Sequence, residues 1–87
     1  MAWYTQYIEY QEGVCGGYPI VQGTRTPVRA IIEASRLLSV EQILQSMPHL
    51  TRQQIEAALV YYIHEPQWVD EDIRSNAAAL QGLMSQP

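Results

Sequence analysis

Residues 39–63 read SVEQILQSMPHLTRQQIEAALVYYI, and this stretch predicts two short helices joined by a tight turn. A capping box of the form S-x-x-Q occupies 39–42, and one of the form T-x-x-Q occupies 51–54, so each helix has its own start signal. Pro48 disfavours the helical conformation of the residue before it and ends the first of these helices. Because only Pro-His-Leu separates the two, we expect them to pack at a steep angle, as in a helix-turn-helix.

Two further helices are expected to flank this unit. Helix one should begin at Thr26-Pro27, where threonine can cap the first turn and proline suits the first helical position, and should end near Leu37. A fourth helix is expected after Pro66, with an acidic first turn that suits the helix dipole. In helix three, the helical spacing of Ile55, Leu59, Tyr62 and Ile63 predicts a buried stripe. In helix four, Val69, Ile73, Ala77, Leu80 and Met84 line one face, and the low-charge segment NAAALQGLM at residues 76–84 is expected to need cover by the core or by a partner.

A glycine-rich stretch precedes these helices, reading GVCGGYPIVQGTRTPV over residues 13–28. A phosphate-binding loop requires a lysine that this chain lacks, and the glycine spacing does not fit a dinucleotide fingerprint. The glycines are therefore expected to serve tight turns at positive φ. The first ten residues favour a short strand, residues 19–22 favour a second, and 3–25 is expected to form an arm that contains a small hairpin.

Length and composition predict one mainly α domain, with a three-helix core, a short N-terminal β arm and an extra C-terminal helix. The chain has 87 residues, 47% hydrophobic and 16% charged, which is typical of a globular protein. The expected parts are the arm over 1–25, the trihelical core over 26–64 and the C-terminal helix over 65–87. No signal peptide or membrane span is expected, and a single cysteine agrees with a cytoplasmic location.

Charge is unevenly distributed along the chain. The net charge is −4, every basic residue is arginine, and the acidic excess lies in residues 1–12 and 65–87. The middle of the chain carries a slight positive balance. A polyanion would therefore be tolerated by the helix-turn-helix region and repelled by the C-terminal region.

Catalytic chemistry has little support, and we predict no catalytic residue, no bound metal and no cofactor. His49 and His64 have no acidic or cysteine partner at metal-ligand spacing. Cys15 lies in no nucleophile signature, so an ordinary small thiol is the favoured interpretation. The acidic run 70–72 is more typical of a solvated helix start than of a cation site.

Binding to DNA is the functional hypothesis that the residues themselves raise. In a helix-turn-helix, the N-terminal residues of the second helix meet base edges, where arginine can address guanine and glutamine adenine. The net charge of −4 opposes this hypothesis, because affinity for DNA depends on neutralising phosphates, and a trihelical core with polar turns would look the same. The candidates are Thr51, Arg52, Gln53 and Gln54 for bases and Arg25, Arg29 and Arg36 for phosphates; Arg25 could instead bond loop carbonyls.

A block of motifs resembles the bacterial domain-of-unknown-function 433 family. That family has a GG-x-P-x-x-x-GTR-x-PV block, then an S-x-E-x-I-L segment, a Pro-x-Leu-Thr turn and an I-x-x-A-L-x-Y helix. The matching residues are Gly16, Gly17, Pro19, Gly23, Thr24, Arg25, Pro27, Val28, Ser39, Glu41, Ile43, Leu44, Pro48, Leu50, Thr51, Ile55, Ala58, Leu59 and Tyr61. Two positions depart from the pattern, since Tyr18 replaces a basic residue and Leu38 replaces a glycine.

The resemblance implies a homeodomain-like fold and a role as the antitoxin of a bacterial toxin–antitoxin pair. The implied partner is a nuclease-like toxin of the PIN type, and no enzyme activity is implied. We expect a dimer that binds operator DNA through the helix-turn-helix and the toxin through its termini. The alternative is a homodimeric interaction module without DNA binding, which would pair through the tyrosines of residues 4–10 and the AAAL segment of residues 77–80.

Overall fold

The computed structural model describes residues 2–84, and within them the fold is mainly helical with a short N-terminal sheet. The helices are α1 (Val28–Ser35), α2 (Val40–Ser46), α3 (Arg52–His64) and α4 (Pro66–Met84). The strands are β1 (Ile8–Glu9) and β2 (Ile20–Val21). The expected mainly α fold with a β arm is thus confirmed, while the last three residues of the expected segment 65–87 lie outside the described part.

The arm differs from the prediction at its start. Trp3–Tyr7 forms a 3₁₀ helix rather than a strand, and the extended segment is confined to β1. Edge-to-face ring contacts of Trp3 with Tyr4 and Tyr7, at 6.1 and 6.2 Å, favour this compact turn. The predicted strand at residues 19–22 is confirmed, and it pairs antiparallel with β1, Ile8 lying opposite Val21.

Strand β2 is bonded along both of its edges. On one side it pairs with β1, and the backbone N–H of Gln22 donates to the Tyr7 carbonyl at 2.8 Å. On the other side, the Val21 N–H donates to the Thr26 carbonyl at 2.9 Å, and Ile20 forms a bridge with Pro27. The arm is thereby joined directly to the start of α1.

The glycine-rich stretch forms turns, as expected. Gly16 and Gly23 have φ of 69° and 78°, a region that favours glycine. The Gly23 N–H donates to a Glu9 carboxylate oxygen at 3.0 Å, and the Thr24 hydroxyl donates to the Val21 carbonyl at 2.8 Å. These bonds hold the loop between β2 and α1.

Helix α1 is shorter at both ends than its sequence suggests. Pro27 itself is the extended N-cap residue, no side chain caps the first turn, and the helix ends at Ser35. The Thr26 hydroxyl, the expected cap, hydrogen-bonds instead to Nε2 of His49 at 2.7 Å. Thr26 therefore links the entry to α1 with the α2–α3 turn.

Both predicted capping boxes are formed. In α2, the Ser39 hydroxyl accepts from the Gln42 N–H and the Gln42 side chain accepts from the Ser39 N–H. In α3, Thr51 and Gln54 make the same reciprocal pair, at 3.2 and 2.8 Å. Each helix therefore begins at the residue that the sequence indicated.

The core lies where α1, α2 and α3 meet, and β2 and the start of α4 close it. The predicted stripe of α3 needs correction, because Tyr61 is buried while Ile63 is 73% exposed. The 3₁₀ helix at the N-terminus packs on α3 and covers the side that carries Tyr61. The buried cluster comprises Val21, Val28, Ile31, Ile32, Ile43, Leu50, Ile55, Ala58, Tyr61 and Val69.

Candidate functional site

The turn between α2 and α3 is compact and internally bonded. The Leu50 N–H donates to the Met47 carbonyl at 3.0 Å, and the Leu50 side chain is buried in the core. This anchor fixes the direction in which α3 leaves the turn. Helices α2 and α3 thus form a helix-turn-helix unit that packs on α1, and the first turn of α3 lies at the surface.

Two of the candidate base-contacting side chains are engaged by the helix itself. The Thr51 hydroxyl and the Gln54 side-chain oxygen are both acceptors within the α3 capping box. Gln53 is exposed, and its side-chain oxygen accepts a hydrogen bond from the Tyr7 hydroxyl at 3.1 Å. The first turn of α3 is therefore connected to the N-terminal arm, a contact that the sequence did not predict.

Arg52 lies exposed at the start of α3 between two carboxylates. Its guanidinium is 2.5 Å from an oxygen of Glu41 in α2 and 4.0 Å from an oxygen of Glu56 one helical turn later. The hydrogen bond from Arg52 lowers the pKa of Glu41 below its usual value. A polyanion that contacts Arg52 would have to compete with these carboxylates.

Arg29 is part of the fold rather than of the open surface. Its side chain is 20% exposed, Nε lies 3.2 Å from Asp72 of α4, and Nη1 lies 3.4 Å from Glu33. The Nε–H does not point at the Asp72 oxygen, so this contact is an ion pair without hydrogen-bond geometry. Burial raises the pKa of Asp72 despite the attraction of Arg29.

The remaining two arginine candidates are exposed. Arg36 follows α1 and lies near the Tyr62 hydroxyl, which donates to Asp70 at 2.6 Å. Arg25 is in the loop before α1, and within residues 2–84 its guanidinium makes no hydrogen bond to a loop carbonyl, which was one of the two roles that the sequence leaves open for it. The Arg25 carbonyl instead accepts from Sγ of Cys15 at 3.4 Å.

The outer half of α4 presents an apolar surface to solvent. Val69 is buried and Ile73 packs on the core, as predicted, but Leu80 and Met84 are 52% and 83% exposed. Leu83 is also exposed, and Ala77 lies on the uncovered half of the helix. The core therefore covers this stripe only as far as residue 73, and residues 77–84, which the sequence predicts to need cover by the core or by a partner, are exposed.

The residues considered for metal chemistry are dispersed or engaged. Asp70 accepts from Tyr62 and Asp72 faces Arg29. Among residues 2–84 there is no group of three or more histidine, cysteine or acidic side chains that could hold a metal ion. In the same part of the chain, no helix combines the length and apolar character needed to cross a membrane.

The partners of the candidate arginines were not predictable from sequence spacing. Glu41 lies 11 positions before Arg52, on a different helix, and Asp72 is far from Arg29 in the chain. Only the i,i+4 pairs, Arg29 with Glu33 and Arg52 with Glu56, had a recognisable spacing. The other contacts depend on how the helices cross.

Comparison with known proteins places the chain in a family. The crystal structure of a DUF433 member protein from Anabaena variabilis is similar, with 30% sequence identity and a TM-score of 0.71, covering 82% of this chain and 75% of that one. Among curated proteins, none matches the sequence. The family model described as "Protein of unknown function (DUF433)" matches residues 8–62. The matched residues run from β1 into α3, and the chain belongs to the DUF433 family.

Proposed function

We propose that this protein is the antitoxin of a bacterial toxin–antitoxin pair, which binds a PIN-type nuclease toxin through its termini and DNA through α2 and α3. The observation that carries the proposal is the uncovered apolar surface at the end of α4, formed by Leu80, Leu83 and Met84. The acidic start of the same helix favours a basic partner.

The length of α4 supports a partner at this end. Its 19 residues extend about 28 Å at 1.5 Å per residue, and the residues that it buries, Val69 and Asp72, lie in its first two turns. An isolated helical segment of this kind is marginal in water, so a stable end benefits from a covering surface. A toxin that packs on residues 77–84 would provide one.

Loss of the apolar contacts should abolish toxin binding. We expect the double variant Leu80→Ser, Leu83→Ser to lose co-purification with the co-expressed product of the adjacent reading frame, because each leucine would contribute apolar area at the interface. Gln81→Ser, an exposed polar position on the same turn, is the matched control and should retain the complex. A double variant that still binds and neutralises the product would refute this contact.

The DNA-binding part of the proposal is supported by the exposed first turn of α3. Arg52 and Gln53 lie at the positions from which a recognition helix reaches base edges. Glu41 and Glu56 compete for Arg52, so specific DNA must displace these contacts. Binding to DNA should therefore respond to the removal of Glu41 as well as of Arg52.

Opposite effects at these two positions would test DNA binding. With the DNA immediately upstream of its own gene as the probe, Arg52→Gln should weaken binding about tenfold or more, through lost base or phosphate contacts. Glu41→Gln should strengthen binding because it frees Arg52. Glu12→Gln makes the same charge change in the exposed arm and should have a smaller effect. Unchanged binding of the Arg52→Gln variant in a gel-shift assay would refute the proposal that the protein binds DNA through α3.

A homodimeric module without DNA binding is the second candidate, and the exposed apolar residues Leu37 and Ile63 favour it, together with the end of α4. Sedimentation equilibrium at micromolar concentration should then give twice the monomer mass of 9.9 kDa. A monomer under these conditions would exclude this candidate.

A further inference from the structure

Two cavities adjoin at the side chains of Tyr10 and Trp68. The first, of about 420 Å³, also includes Tyr18, Pro19 and Glu71 in its lining. The second, of about 340 Å³, also includes Tyr4, Tyr61 and Glu65. We call the two cavities together the aromatic groove. Its aromatic and acidic lining residues are Tyr4, Tyr10, Tyr18, Tyr61, Glu65, Trp68 and Glu71.

The groove lies between the N-terminal arm and the junction of α3 with α4. Tyr10 and Trp68, which both cavities share, are 55% and 49% exposed, so their rings are accessible to a ligand. A hydrogen bond between the Tyr10 and Tyr61 hydroxyls holds the Tyr10 ring in place between the two cavities. Single exposed aromatic residues are ordinary, but five around one groove form a surface suited to binding.

The charge of the groove is acidic in both cavities. One carboxylate lies in each cavity, and the described residues that line the two cavities include no lysine, arginine or histidine. Glu71 accepts from the Tyr18 hydroxyl at 3.3 Å, and Glu65 accepts from the Gln67 amide at 2.9 Å. Since a carboxylate offers about four lone-pair directions, one accepted bond leaves capacity for a ligand. Burial and the adjacent Glu71 raise the pKa of Tyr18, in agreement with an acidic environment.

Aromatic faces beside a carboxylate suit a cationic side chain. Ring faces attract cations through their quadrupole, and a carboxylate adds a charge-assisted hydrogen bond. An anion would be repelled, and a purely apolar ligand would desolvate the carboxylates without compensation. A guanidinium fits better than an ammonium, because it stacks flat on rings and forks onto a carboxylate.

We propose that the aromatic groove binds two arginine side chains from a basic segment of another protein, one in each cavity. The groove lies beside the first turns of α4, whereas the proposed toxin contact is at residues 77–84 of the same helix. The groove and the apolar toxin contact therefore involve different residues, although the acidic start of α4 supports both proposals. Either can fail while the other holds, because the Leu80 and Leu83 variants leave the groove unchanged.

Fluorescence of Trp68 provides a direct test. Trp3→Phe leaves Trp68 as the only tryptophan, because the chain has two. In this background, acetyl-Arg-Gly-Arg-amide at constant ionic strength should give a saturable change in emission. The peptide with citrulline in place of both arginines is nearly isosteric but uncharged. Its affinity should be lower by at least about tenfold. Equal binding of the citrulline peptide would overturn the proposal, as would equal binding of acetyl-Lys-Gly-Lys-amide.

Matched charge variants separate the groove from the general acidity of the chain. Glu65→Gln and Glu71→Gln should each weaken binding of the arginine peptide about threefold, as expected for a partly exposed ion pair. Glu56→Gln makes the same charge change on the exposed face of α3, outside the groove, and should leave the affinity unchanged. Equal weakening by all three variants would attribute the binding to net charge and overturn the proposal. Thermal melts of each variant establish that the fold is retained.

Discussion

Asp72 and Arg29 join α4 to α1 through a pair of charges that is largely removed from water. Asp72 is 6% exposed, and burial raises its pKa even with a guanidinium 3.2 Å away. The attraction between the two side chains therefore does not fully offset the loss of hydration.

The raised pKa of Asp72 gives a signed dependence on pH. Between the ordinary value of 3.8 and the higher folded-state value, the folded protein holds a proton that the unfolded chain has released. The contribution of Asp72 to stability is therefore greatest at low pH, and falls as pH rises through this window. We expect the free energy of unfolding of the wild type, relative to that of Asp72→Asn, to fall over the same window in urea titrations. A difference that rises with pH would contradict this.

Removal of Arg29 should change the titration of Asp72 in a defined direction. Burial raises the pKa of Asp72, and the charge of Arg29 lowers it. Arg29→Gln should therefore move the titration of Asp72 to higher pH. Carbon-detected NMR of the side-chain carboxyl would measure the change. A titration that moves to lower pH would show that another group controls Asp72.

At the scale of the elements, the two capping boxes account for the positions at which α2 and α3 begin. In each box one hydroxyl and one amide side chain satisfy backbone N–H groups that have no partner within the helix. Thr51 therefore has a structural role at a position that is also a candidate for DNA contact. A binding defect in a Thr51 variant needs to be separated from a folding defect.

Loss of the α3 cap should have a moderate cost in stability. Thr51→Ala should lower the free energy of unfolding by about 1 kcal/mol, because the Gln54 N–H loses its acceptor. For a domain of this size that corresponds to a melting temperature lower by about 4–8 °C. Thr51→Ser keeps the hydroxyl and should be close to the wild type. Equal stability of the alanine and wild-type proteins in circular dichroism melts would show that the cap contributes little.

Local signals in the sequence were sufficient for these elements and insufficient for the contacts between them. The capping boxes, Pro48 and the glycines act within a few residues, so α2, α3 and the turns were predictable. The buried side of α3 was not, since Tyr61 is covered by a 3₁₀ helix that the aromatic composition of residues 3–7 had indicated as a strand. The contact of Glu41 with Arg52 depends on the crossing of two helices and has no sequence signal.

At the scale of the whole molecule, the shape is elongated, with extents of 46 × 27 × 21 Å. The core occupies one end together with the arm, and α4 begins on it at Val69. Within the described part of the chain, which ends at Met84, the second half of α4 adds surface but no fully buried side chain. The buried core and the exposed apolar end of α4 thus lie in different parts of the chain.

A shortened chain would test this separation. We expect a protein that ends at residue 76 to unfold with a free energy within about 1 kcal/mol of the full chain, because little apolar area is buried beyond that point. Val69→Ala, which removes a core side chain, should cost about 2 kcal/mol and is the contrasting control. A cooperative loss of the core on shortening, seen in urea unfolding, would mean that the end of α4 supports it.

The bonding of β2 on both edges also affects the behaviour of the protein at high concentration. An unpaired strand edge offers N–H and carbonyl groups to another molecule and can template intermolecular sheet growth. In this protein β1 occupies one edge of β2, and the segment around Thr26 and Pro27 occupies the other. Association of folded molecules by strand addition at β2 is therefore blocked.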